Sequence, residues 1–265
     1  MIFSWLRRRR RKALLAEPIP EEWVGWLMEL PFYQGLDAGE RGRLHDILRV
    51  IVAEKDWEGC AGFEITDEVK VVISAQAALL VLQIDHNYYR RVKTILVYPS
   101  SYKTGRPDWQ SGGIVEEGGG HNLGEAWYRG PVILSWDSVR YGAEDPKDAH
   151  NLVLHEFAHK LDMSDGTIDG TPPLRDRQDY RDWARVMTEE YDVLRGKAKK
   201  GRRSVLNRYG ATNEAEFFAV ATESFFEKPL QMEKRHAELY GLLKTYFRQD
   251  PAERLRRAAA EDRGN

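Results

Sequence analysis

The stretch Asp145-Pro-Lys-Asp-Ala-His-Asn-Leu-Val-Leu-His-Glu-Phe-Ala-His-Lys-Leu-Asp162 constrains this chain more than any other. Asp145 suits a helix N-cap, Pro146 suits the first helical position, and Asp148 complements the positive end of the helix dipole. Leu154, Phe157, Ala158 and Leu161 recur at i, i+3, i+4 and i+7, one core-facing stripe. Gly166 offers a stop. The pattern predicts a helix, and on it His155 and His159 lie one turn apart on one face.

Two imidazoles in that relation can ligate one Zn²⁺ at about 2.0–2.1 Å. Glu156 flanks such an ion without entering its coordination sphere, the place for a carboxylate that takes a proton from water. The motif alone recurs by chance in unrelated proteins. Here its apolar neighbours argue for a role, because buried imidazoles without one are costly.

A catalytic zinc site requires a third protein ligand, and spacing leaves six candidates: Asp162, His150, His121, Glu214, Glu216 and Glu223. Asp162 lies ~10 Å further along the helix axis than His155, which suits a cap or a supporting partner better than a ligand. His150 has the same difficulty at the other end, and His121 beside three glycines reads as a solvated loop residue. On the later helix that begins at Asn213, Glu216 and Glu223 share a face while Glu214 turns away. Asn213 and Glu216 also fit a capping box, and Glu214 and Glu223 also read as solvated helix carboxylates.

The chain has 42% apolar and 31% charged residues and a formal net charge of −2, which suits a soluble enzyme and gives no reason to expect nucleic acid as a partner. One cysteine, Cys60, rules out an intramolecular disulfide and a cysteine-based zinc cluster, and a reducing, cytoplasmic setting is the simplest context. No apolar run approaches the ~20 residues that span a bilayer, and the order of charges at the start is the reverse of a signal peptide's. The basic run Arg7-Arg-Arg-Arg-Arg-Lys12 is expected to be a solvated, disordered tail over residues 1–15. RNA or anionic lipid is its alternative partner.

Residues 16–265 are expected to form one domain, with 16–93 as a candidate N-terminal lobe. Short helices are predicted over 22–30 and, on an amphipathic stripe of Leu44, Ile47, Leu48 and Ile51, over 39–55. Residues 66–84 mix strand and helix signals and lean to helix. Residues 94–98 and 130–136 read as strands, with a glycine-rich loop over 105–120 between them. Beyond residue 145 the chain reads as helical, apart from a loop over 164–177 and a basic turn over 196–203. Strands before and helices after predict an α+β enzyme.

The run Gly124-Glu-Ala-Trp-Tyr-Arg-Gly-Pro-Val-Ile-Leu-Ser-Trp and then His155-Glu-Phe-Ala-His-Lys-Leu-Asp closely resemble the Mlc titration factor A peptidases. Asp165-Gly, Asp169-Gly-Thr-Pro-Pro-Leu and Tyr209-Gly-Ala-Thr-Asn-Glu-Ala-Glu-Phe-Phe-Ala continue the match over nearly the whole chain, most weakly before residue 16. The metal-binding helix and the last of these motifs also resemble the catalytic domain of anthrax lethal factor. The resemblance implies a zincin-like fold, one zinc ion held by His155, His159 and Glu216, and Glu156 as base. It also implies that the phenol of Tyr209 faces the metal site. It further implies aminopeptidase-type hydrolysis of peptides and binding of the glucose-responsive repressor Mlc or an analogue. In the alternative reading that sequestration is the main role and hydrolysis secondary. The strand over 130–136 is the expected cleft-side edge to which an extended peptide adds.

Overall fold

Three short strands, all parallel, set the frame on which the histidine helix rests. The computed structural model describes residues 2–84, 87–100, 130–145 and 147–264. Strand β1 (Asp56–Gly59) pairs with β2 (Thr94–Tyr98), which pairs with β3 (Val132–Ser135), in the order β1-β2-β3. The register sets Asp56 against Thr94 and Ile95 against Val132. Ile95, Val97, Val132 and Leu134 alternate inward to the core, so β2 and β3 each show one apolar face.

Helices surround this sheet. Before it come α1 (Ile2–Ala16), α2 (Glu21–Met28), α3 (Pro31–Gln34) and α4 (Ala38–Glu54). Between β1 and β2 runs α5 (Asp67–Leu80). After β3 come α6 (Trp136–Glu144), α7 (Leu152–Asp162) and α8 (Arg177–Lys199). A 3₁₀ helix over Arg208–Ala211 leads to α9 (Glu214–Glu227), α10 (Pro229–Arg235), α11 (Ala237–Phe247) and α12 (Pro251–Gly264). The described chain is thus mostly helical with a small sheet, an α+β arrangement.

Local chemistry explains the boundaries. Asp37 and Glu40 form a reciprocal capping box at the start of α4. Thr66 caps α5, which is buried from Val71 to Leu80 on every face, so its apolar pattern has no period to read. Residues 136–144, expected to begin as the end of a strand, turn into α6 directly after Ser135. Strand β1 has no counterpart among the sequence expectations, since Asp-Trp-Glu-Gly carries no run of apolar alternation.

The basic N-terminal stretch, expected to be disordered, is helix α1. Its Arg11 forms a bidentate pair with Glu54 of α4 at 2.7 and 2.6 Å, and its guanidinium lies 4.1 Å from the ring centroid of Tyr88. A side chain held by two acidic oxygens and an aromatic face is docked rather than free in solvent. The glycine-rich loop over 105–120 and His121 lie outside the described residues.

One hydrophobic cluster runs from Leu27 to Ala252 and contains the buried faces of α4, α5, α7 and α9. Against α9, Trp183, Phe218 and Tyr246 meet edge to face, and Phe225 stacks on Phe247. This packing fixes α9 beside α7, the pair that assembles the site.

Candidate metal centre

Helix α7 begins at Leu152, with the Asn151 side chain accepting the Leu154 N–H at 3.0 Å. The expected cap at Asp145 is therefore corrected: Asp145 ends α6 and accepts the Lys147 N–H at 3.1 Å. Between them Ala149 adopts φ 54°, a left-handed turn that no continuing helix allows. Asn151 wins as the cap because its amide also has three acceptors waiting. Its Nδ2, with two N–H groups to share, lies within hydrogen-bond distance of Gln76 Oε1 (2.8 Å), Glu227 Oε1 (2.9 Å) and the Gly142 carbonyl (3.2 Å).

Helix α9 begins with Asn213 accepting the Glu216 N–H at 2.9 Å. A capping box would return the Glu216 carboxylate to the Asn213 backbone. Instead the carboxylate points at α7, with Oε2 lying 3.0 Å from His155 Nε2 and 3.5 Å from His159 Nε2. The two Nε2 atoms are 3.2 Å apart. His155, His159 and Glu216 are all buried, and they are the one set of three or more His, Cys, Asp or Glu found among the described residues that could hold a metal ion.

These spacings fit zinc. Donors about 2.0–2.2 Å from one ion at tetrahedral angles stand roughly 3.3 Å apart, and the observed distances bracket that value. In the metal-free arrangement burial pushes the Glu216 carboxyl up, but hydrogen bonds to His155 and His159 outweigh it and hold the pKa at about 2. Burial likewise pushes the His155 imidazole down, and Glu216 with Glu223 reverses this, raising it well above the ordinary value. The pocket therefore favours a charged imidazole beside an anionic carboxylate.

Glu223, seven residues after Glu216, holds the far side of His155. Its Oε1 accepts from His155 Nδ1 at 2.8 Å, and its Oε2 accepts the Asn151 N–H at 2.7 Å. With the proton on Nδ1, Nε2 is left as the electron-pair donor facing Glu216 and His159. Sequence reasoning placed Glu223 on the correct face but gave it no orienting role. The signal was the shared face; the missing part was Asn151 and His155 on another helix.

Glu156 projects from the adjacent face, and its Oε1 is buried without a hydrogen-bond partner among the described residues. A buried bare acceptor costs about 1–3 kcal/mol. Tyr209 lies in the 3₁₀ helix, its ring 5.9 Å from that of His155, and Asn207 caps the turn that holds it.

The other candidates stand apart. Glu214 is exposed on the opposite side of α9, and His150 is exposed with Nδ1 4.0 Å from Glu223. Asp162 is buried at the end of α7, where Oδ2 accepts the Gly170 N–H at 2.9 Å and burial pushes its pKa up to about 6. Gly170 has φ 77°, a Cβ there would meet the Glu214 carbonyl oxygen at 2.4 Å, and its own carbonyl accepts from Trp183 Nε1 at 3.0 Å. Strand β3 has only β2 as a partner among the described residues, and the Lys160 ammonium of α7 donates to the Gly130 carbonyl just before it, at 3.4 Å.

Comparison with known proteins decides the family. The model of the glucose-regulated metallo-peptidase M90 family matches residues 4–248. The chain belongs to that family. Among its relatives, an uncharacterized protein of Synechocystis sp. is 40% identical over 244 residues, 91% of this chain and 89% of that protein. Mlc titration factor A of Serratia proteamaculans is 30% identical over 256 residues, covering 93% and 95%. That of Yersinia pestis is 29% identical over 247 residues, covering 91% and 90%. The M90 match spans both helices of the buried cluster and the turn bearing Tyr209. Among the described residues no helix of this metallopeptidase-family chain is long and apolar enough to cross a membrane.

Proposed function

We propose that the chain is a zinc-dependent peptidase of zincin-like architecture, with His155, His159 and Glu216 holding the metal and Glu156 as general base. The carrying observation is the convergence of three buried donor atoms from two helices at 3.0, 3.2 and 3.5 Å. A zinc ion held there supplies Lewis acidity that polarises a water molecule and a peptide carbonyl.

The chain's own groups do the rest. Glu156 takes a proton from the attacking water as its oxygen bonds to the carbonyl carbon. It then passes that proton to the amine nitrogen as the carbon–nitrogen bond breaks. The Tyr209 hydroxyl donates a hydrogen bond to the developing oxyanion, a contribution worth roughly 3–4 kcal/mol for a well-placed donor. Glu223 keeps His155 in the tautomer and orientation the metal requires. Strand β3 offers its outer edge to an extended peptide, the Pro131 position costing no donor at a strand start. Aminopeptidase-type cleavage and a cytoplasmic setting complete this reading.

The deciding experiment measures bound metal and peptide cleavage in wild type and Glu156→Gln. The variant should retain one zinc per chain while kcat falls by roughly 10²–10⁴-fold. Undiminished turnover would remove Glu156 as base, and a wild type that binds no zinc would remove the whole scheme.

The name of the Serratia and Yersinia relatives favours a second role, binding and titration of an Mlc-like repressor. Sequestration alone predicts that Glu156→Gln still captures a purified Mlc-type repressor. Loss of capture together with loss of hydrolysis would count against it.

A further inference from the structure

A cavity of about 590 Å³ opens beside the C-terminal end of α7, and neither the three clustered donors nor Glu156 lines it. Its floor is apolar, built from Leu161 of α7, Trp183 and Val186 of α8, and Leu242 and Tyr246 of α11. That size and lining suit a small organic ligand. Around the mouth six basic residues face three acidic ones. Two of the acids are already engaged: Asp179 pairs with Arg175 at 2.9 Å and Glu238 with Arg185 at 2.8 Å. Arg90 and Arg248 enter no ion pair among the described residues, so the mouth carries uncompensated positive charge over an apolar floor.

The backbone that presents these two arginines is unusual. Tyr88 and Tyr89, just before Arg90, have φ 56° and 48°, and Arg248, at the end of α11, has φ 52°. Side-chain-bearing residues pay roughly 1–2 kcal/mol each in this region, and glycine is the usual occupant at a helix end. Tyr89 and Arg248 both line the cavity, so two such residues concentrate strain where a ligand would be gripped.

From the cavity, the charge and the strained presentation we infer that this is a binding site for an amphipathic carboxylate. The apolar chain lies against Leu161, Trp183 and Leu242, and the carboxylate meets Arg90 and Arg248. The match is one of charge and shape: an amine head would face the same arginines with like charge, and a neutral head would leave them unpaired. Since Leu161 belongs to the helix carrying His155 and His159, the occupant rests directly on the helix of the metal cluster.

Calorimetric titration of the full-length protein with decanoate, decanol and decyltrimethylammonium, each below its micelle-forming concentration, tests this. Decanoate should bind one per chain and at least tenfold more tightly than the other two. The exposed double substitution Arg90→Glu with Arg248→Glu should abolish that preference and leave decanol binding as it was. Leu242→Trp should weaken decanoate and decanol alike by filling the floor. Equal affinity for all three probes overturns the inference. So does a decanoate preference that survives the double charge reversal, which does not depend on how the core tolerates tryptophan.

Discussion

At the start of α7, Asn151 and His155 are enclosed by Gln76, Glu223 and Glu227, and each of their polar side-chain atoms that faces the protein has a partner between 2.7 and 3.2 Å. At its end, His159 Nδ1 and Asp162 Oδ1 are buried with no hydrogen-bond partner among the described residues, and Leu161 borders an open cavity. One helix thus offers its two imidazoles from unequal supports, the first locked to α9 and the second held mainly by packing. A metal cluster needs only one rigid post if the second can settle around the ion. The first post is where mutation should cost most.

The largest effect is expected from Glu223→Ala. It strips the His155 clamp and leaves the Asn151 N–H bare, and breaking a buried charged pair costs about 3–5 kcal/mol. Denaturant unfolding should show that loss, and zinc titration should show affinity falling roughly 10–100-fold. A variant with wild-type affinity would mean that the two posts are equally stiff. Next is a matched pair on the same helix. Leu154→Ala, deep in the core, should cost about 4 kcal/mol, and Leu161→Ala, beside the cavity, about 2 kcal/mol. Equal costs would erase the contrast.

The smallest effect is pH-dependent and belongs to the metal-free protein. Burial raises the Asp162 pKa from its ordinary 3.8 to about 6, so the folded state holds its proton longer than the unfolded one. Its stabilising share is complete below about pH 4 and is lost as pH rises through 6. Asp162→Asn should therefore match wild type at low pH and exceed it at pH 7.5. Melting curves that coincide at both pH values would show that the end of α7 is not strained by this charge.

The same contrast explains what could be read from sequence. The convergence of His155 and His159 was legible because both lie on one helix, where spacing fixes direction. Glu216 was not, since it is 61 residues from His155. Its own surroundings also suit a helix cap, and only the family resemblance singled it out. The start of α7 was misplaced because Asp145-Pro146 is as good a local signal as Asn151. The acceptors that favour Asn151 come from α5, α6 and α9. Helix α5 was ambiguous because burial on all sides removes amphipathic period. Strand β1 was silent because backbone pairing to β2, rather than apolar alternation, makes it a strand.

Gly170 carries no reactive group, yet it sits where α7 ends and α9 begins, against Trp183 of α8. It donates its N–H to Asp162, accepts from Trp183 and touches the carbonyl of Glu214. A methyl group there would meet that carbonyl at 2.4 Å and force the first turn of α9 outward. Glu216 is only two residues further on, so the displacement would pass straight to its carboxylate. The missing side chain acts as a spacer gauge: it sets how near the acidic donor may come to the imidazoles, and hence the size of the ion they can share.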